Sequence, residues 1–84
     1  MRYQVVLKKA AQKNLARIDQ RYKPRISFVL LELSNNPYLG KKLKGELRDF
    51  YSLRVWPYRI IYQIIKNKLI VFVVQIKHRQ RAYG

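Results

Sequence analysis

Residues 50–76 constrain the fold more than any other part of this chain. Phe50-Tyr51-Ser52-Leu53-Arg54-Val55-Trp56 alternates with a period of two, the repeat of a half-buried strand. Tyr58 to Ile65 is β-branched and aromatic enough to form a second strand. Leu69 to Ile76 is nearly all apolar, which predicts a third, central strand covered on both faces. Pro57 cannot donate to a ladder and marks a turn or strand edge, while Lys66-Asn67-Lys68 is a polar connection of hairpin length. Strands joined this tightly pair antiparallel with their neighbours. The segment therefore predicts a meander.

The residues before it follow a different period. Val5, Val6 and Leu7, within residues 2–7, are consistent with a first strand. From Lys8 onward, Ala11, Leu15 and Ile18 fall at i, i+4 and i+7, one apolar stripe on a helix, and Lys8, Lys9, Gln12, Lys13 and Arg17 cover the rest. Tyr22, Ile26, Val29, Leu30 and Leu33 repeat the stripe in a second helix, with Asp19 as a cap near its start. Pro24 fits only in the first turn, so regular helix is expected to begin near residues 21–23, and Ser34-Asn35-Asn36-Pro37 ends it. The helices read as an antiparallel hairpin. Residues 35–46 read as one extended loop carrying the cluster Lys41, Lys42 and Lys44. The expected order is β-α-α-β-β-β, an α+β fold with an N-terminal strand and helical hairpin packed on an antiparallel β-sheet. At 84 residues the chain, 1–84, is one domain, because so short a chain supports a single core.

Charge narrows the class of partner. Nineteen Lys and Arg stand against four acids, Asp19, Glu32, Glu46 and Asp49, for a net charge of +15, and residues 50–84 hold no acid at all. Self-repulsion of this size destabilises a small fold and points to a polyanionic partner. Nucleic acid comes first, an acidic protein second and an anionic membrane surface a distant third; the bland alternative is a solvated basic surface. Cysteine is absent and His78 is the only histidine, which excludes disulfides, a thiolate nucleophile and the usual zinc sites. No run approaches the roughly 18–20 apolar residues of a membrane span, and the apolar stretch at residues 3–7 is too short for a signal peptide. A cytoplasmic protein without a membrane partner is expected.

The same composition limits the chemistry. Metal-assisted hydrolysis of DNA needs carboxylate clusters that the strand region lacks. RNA carries its own nucleophile, the 2′-hydroxyl, so a protein need only bind and align the phosphate, stabilise added negative charge and manage two protons. Arg and Lys supply the electrostatic part. Tyr, His or Lys can handle a proton when suitably tuned. A paired-histidine mechanism is excluded. What remains is a site of Arg, Lys and Tyr with no cofactor and no metal, weak alone and dependent on a host that positions the RNA.

The pattern Tyr51-x-Leu53-Arg54-Val55-x-x-Tyr58-Arg59-Ile60-Ile61-Tyr62, followed by an apolar strand and His78-Arg79-x-x-x-Tyr83, resembles the RelE/ParE toxin superfamily. The element order, the Lys42-Leu43-Lys44-Gly45 segment and the length extend the resemblance across nearly the whole chain. It implies the toxin of a type II toxin–antitoxin pair, with a cognate acidic antitoxin as partner in a hetero-oligomer. One branch of the superfamily cleaves mRNA in the ribosomal A site by metal-free 2′-hydroxyl attack; a sister branch poisons DNA gyrase. The ribosome and mRNA are accordingly further expected partners.

The resemblance also assigns residues. Arg59 and Arg79 match family arginines that contact the scissile phosphate, and Tyr83 matches a C-terminal tyrosine implicated in stacking or proton transfer. Arg54, Lys41, Lys42, Lys44, Arg81 and His78 are candidates for binding RNA around them. Among these, Arg81 reads more readily as a solvated charge, and His78 as a strand-end residue paired with the backbone, than as phosphate or proton-transfer groups. Ser52 stands where some members carry an additional Lys, and Trp56-Pro57 replaces a Gly-Asp-like turn. Periodicity alone does not put Arg54 and Arg59 on one face, since they are five apart across Pro57. Trp56 could stack on a base, as aromatic side chains do in RNA recognition, but packing in the core or at its rim is the expected reading; Tyr51 and Tyr62 are expected to pack. The cations of the helix region, from Lys8 to Arg25, suit rRNA phosphates, which position without specifying, or serve solubility alone.

Overall fold

A computed structural model describes residues 2–79. Strand β1 (Gln4–Leu7) leads into helices α1 (Lys9–Arg17) and α2 (Lys23–Asn35), followed by β2 (Lys41–Lys42), β3 (Tyr51–Val55), β4 (Tyr58–Ile65) and β5 (Ile70–His78). The five strands form one sheet in the order β1-β5-β4-β3-β2. The α+β class and the meander are as the sequence predicts. Two features of the sheet's pairing differ. β1 pairs parallel with β5, so the sheet is mixed rather than wholly antiparallel. The meander leaves one side of β5 unpaired, and the first strand fills it. Within the expected loop, Lys41 and Lys42 pair with Ser52 and Tyr51 as a short edge strand, too brief to show a period.

Both helices lie on one face of the sheet, α1 chiefly against β5 and α2 against β1. Ala11, Ile18, Ile26 and Leu33 meet Val55, Ile60, Tyr62, Val71, Val73 and Ile76 in a single core. Pro24 sits in the first turn of α2, where its missing N–H costs no hydrogen bond. Asp19 is not the cap of that helix. Its carboxylate accepts from the Arg21 backbone N–H (2.8 Å) and pairs with the Arg21 guanidinium, bracing the turn ahead of α2. No helix among the described residues is long and apolar enough to cross a membrane.

β5 is interior to the sheet but covered on one face only. Val71 and Val73 are buried beneath the helices, whereas Ile70, Phe72 and Val74 are half-buried and Gln75 is exposed. A continuous apolar run signals a strand with neighbours on both sides, yet two short helices cover only one face. The ladder with β4 also slips: Ile61 pairs with Gln75 but Tyr62 with Val73, leaving Val74 as an extra residue in a β-bulge. The alternation inverts across it. Odd residues 71 and 73 face the core before the bulge, and the even residue Ile76 does so after it.

Tyr62 ties the sheet to the segment ahead of β2. Its buried hydroxyl donates to the Pro37 carbonyl (2.8 Å) and accepts from the Gly40 N–H (2.9 Å). Gly40 is required by this approach, because a Cβ there would stand 2.5 Å from the hydroxyl oxygen. Tyr51 stacks on the Tyr62 ring with centroids 5.5 Å apart, so both tyrosines pack as expected.

Candidate functional site

Trp56 and Pro57 form the whole connection between β3 and β4, closed by the pair Val55–Tyr58. One step beyond that pair, Arg54 and Arg59 lie directly opposite each other. Directly opposed residues of an antiparallel pair share a face, so the turn accomplishes what their spacing along the chain does not reveal. On the other side of β4, Arg59 is opposite Lys77. Three cations from three adjacent strands thus make one row on the helix-free face.

Arg79 completes the group from just past β5. Its backbone N–H donates to the Pro57 carbonyl (2.8 Å), tying the end of β5 to the turn. Its guanidinium lies 4.6 Å from the centroid of the Trp56 ring, a cation–π contact. Together Arg54, Trp56, Pro57, Tyr58, Arg59, Lys77 and Arg79 line a cleft of about 210 Å³. Such a volume is small beside the ~300–1,000 Å³ of drug-sized ligand pockets and suits one phosphodiester group better than a large cofactor. Among the described residues the only ion pair is Arg21–Asp19, so no carboxylate of those residues pairs with the cluster. No three of His, Cys, Asp and Glu come together among these residues either.

Like charges held directly opposite on a sheet destabilise it by roughly 0.2–1 kcal/mol per pair. A bound anion with several oxygens reverses that sign. Arg offers a planar fork that fits two phosphate oxygens, and Lys a compact point charge. A constellation of this kind has the chemistry to hold a phosphate group.

The sequence model of the ParE toxin of type II toxin–antitoxin systems matches residues 5–83. A RelE-like toxin protein of Escherichia coli is 33% identical over 85 residues, spanning 98% of this chain and 88% of that protein. The chain belongs to the RelE/ParE toxin superfamily. The mRNA interferase toxin RelE of Escherichia coli K12 is 29% identical over 85 residues, again across 98% of this chain and 88% of the relative. Among solved structures, a RelBE toxin–antitoxin complex of Mycobacterium tuberculosis superposes with a TM-score of 0.87 at 28% identity, covering 94% of this chain and 100% of the other. The chain is a RelE-like toxin of a type II toxin–antitoxin system.

Of the residues selected in this toxin from sequence, the fold brings Arg54, Arg59 and Arg79 together. Lys41, paired with Ser52, shares their face two residue pairs further along; Lys42, paired with Tyr51, points to the other face, and Lys44 is exposed beyond β2. Tyr83 and Arg81 lie outside the described residues. His78 is paired with Tyr58 on the helix face, where the two rings meet edge to face at 5.1 Å. It lines a separate groove with Asn14 and Arg17 of α1. Lys77, which sequence reading passes over, takes the place beside Arg59. The bulge at Val74 is the cause: unbroken alternation from Val73 would point Lys77 inward and His78 outward. Trp56 departs from the packing expected of it. It is 55% exposed rather than packed in the core.

Proposed function

We propose that this toxin is a ribosome-dependent endoribonuclease that cuts mRNA in the A site by metal-free attack of the 2′-hydroxyl on the adjoining phosphate. The row Arg54–Arg59–Lys77 with Arg79 carries the proposal, and the mRNA interferase named among its relatives supports it. The 2′-oxygen forms a bond to phosphorus while the bond to the 5′-oxygen breaks. One proton leaves the 2′-hydroxyl and one reaches the departing 5′-oxygen. Arg59 and Arg79 hold the non-bridging oxygens as their charge grows, with Lys77 and Arg54 adding positive potential. Tyr83 is proposed to stack or to move one of the protons; Tyr83→Phe keeps the ring and separates these roles. The ribosome supplies the alignment that a cleft this open lacks. An acidic antitoxin is proposed as the inhibitory partner, in keeping with the RelB-bound structures to which the fold is similar.

Induced expression followed by mapping of mRNA 5′ ends tests the proposal, with DNA supercoiling assayed in the same cells. Codon-phased cuts in translated messages are the expected result. The ParE match favours a second reading, a non-enzymatic inhibitor of DNA gyrase, for which intact mRNA and double-strand DNA breaks are the signature. A basic RNA-binding protein without catalysis would give neither. Replacing magnesium by a cation that preserves ribosomes without supporting metal catalysis should leave cutting intact.

A further inference from the structure

We propose that Trp56 is the platform on which one RNA base stacks while the neighbouring cations hold the adjoining phosphate. The proposal rests on reading the cluster around Arg59 as an RNA phosphate site. Among the exposed large aromatic residues, Phe28 is on α2 and Tyr38 precedes β2, both away from the cluster, whereas Trp56 forms its rim. Leaving an indole 55% exposed forfeits much of the stabilisation its burial would give. A two-residue turn holds it out of the core, and the Arg79 N–H bond to Pro57 fixes that turn against β5. The ring is therefore braced before any ligand arrives. Arg79 covers part of it at 4.6 Å and leaves the remainder open to solvent.

An open aromatic face beside a row of arginines matches the two halves of a single-stranded nucleotide. Unpaired bases stack on aromatic side chains and guanidinium planes, and the phosphate lies one sugar away. Arg79 serves both halves, contacting the indole through its plane and reaching phosphate oxygens through its N–H groups. Every base has a π-face, so the platform adds affinity for unpaired RNA without reading its sequence.

Trp56 is the only tryptophan of the chain, so its fluorescence reports on this position without a label. The probe is a 2′-O-methyl trinucleotide, which cannot supply the attacking hydroxyl, compared with the same sugar–phosphate backbone lacking bases. We expect the base-bearing probe to quench the indole and to bind roughly 5- to 150-fold more tightly than the abasic one. In Trp56→Ala, followed by anisotropy of labelled probes, that preference should collapse to below about twofold, and Trp56→Phe should restore part of it. Equal binding of the two probes by the parent, or an undiminished preference in Trp56→Ala, overturns the stacking role. Arg59→Ala separates the two readings: weaker binding of both probes upholds the phosphate site whatever Trp56 does. Unchanged affinity for the abasic probe removes the phosphate site, and the platform with it.

Discussion

Two residues show how differently a site and a scaffold respond to one altered group. Arg79→Lys keeps the charge but loses the planar fork and the broad contact with Trp56, and should lose much of the cleavage activity. Arg79→Ala should remove about 2–4 kcal/mol of transition-state stabilisation, a rate loss of roughly 30- to 1,000-fold. Single-turnover cleavage on programmed ribosomes measures both, and ribosome affinity, spread over many cations, should move far less. Tyr62 belongs to the scaffold. Tyr62→Phe leaves the Gly40 N–H and the Pro37 carbonyl unpaired and should cost about 1–3 kcal/mol of stability. Burial pushes the Tyr62 phenol up from 10.0 to about 12, partly offset by the Gly40 hydrogen bond. A phenol that holds its proton more tightly when folded contributes fully below pH 10.0 and loses that contribution as pH rises to about 12. The stability gap between parent and Tyr62→Phe, followed by urea unfolding, should therefore narrow across that interval.

At the scale of the strand, function and stability pull against each other. Arg59 is flanked by Arg54 on β3 and Lys77 on β5, both directly opposite it. Lys77→Gln should slow cleavage while raising the melting temperature by a few degrees, because removing one like-charge pair returns roughly 0.2–1 kcal/mol. High salt should erase the thermal gain by screening the repulsion in the parent. The bounds of β4, Tyr58–Ile65, are legible in the sequence because Pro57 and Lys66-Asn67-Lys68 punctuate a β-branched run. The arginine row is legible only in part. Arg54, Arg59 and Arg79 stand out by residue type and resemblance, but neither directs attention to Lys77. Its orientation depends on an extra residue that apolar Val74 does not advertise in so uniform a run as Ile70–Ile76. The parallel placement of β1 is illegible for a related reason: pairing partners distant along the chain leave no local period.

For the whole molecule, a net charge of +15 makes encounter with an acidic antitoxin an electrostatic problem. Association should be fast at low salt and fall steeply between about 50 and 500 mM, whereas a rate indifferent to salt would argue that contact shape alone governs capture. Surface plasmon resonance across that range gives the answer. The pairing of β1 with β5 carries a further consequence, for the order in which this toxin acquires its properties. Gln4 waits for Ile70 and Leu7 for Val73, so the sheet cannot close until β5 has been synthesised. Lys77 belongs to that strand and Arg79 follows it directly. During vectorial synthesis at about 5–20 residues per second, the meander up to β4 can form early, but the row of cations stays incomplete. A nascent chain halted before residue 70 would lack the core strand and half of the cation cluster together. The fold and the proposed active site thus mature together, late in synthesis.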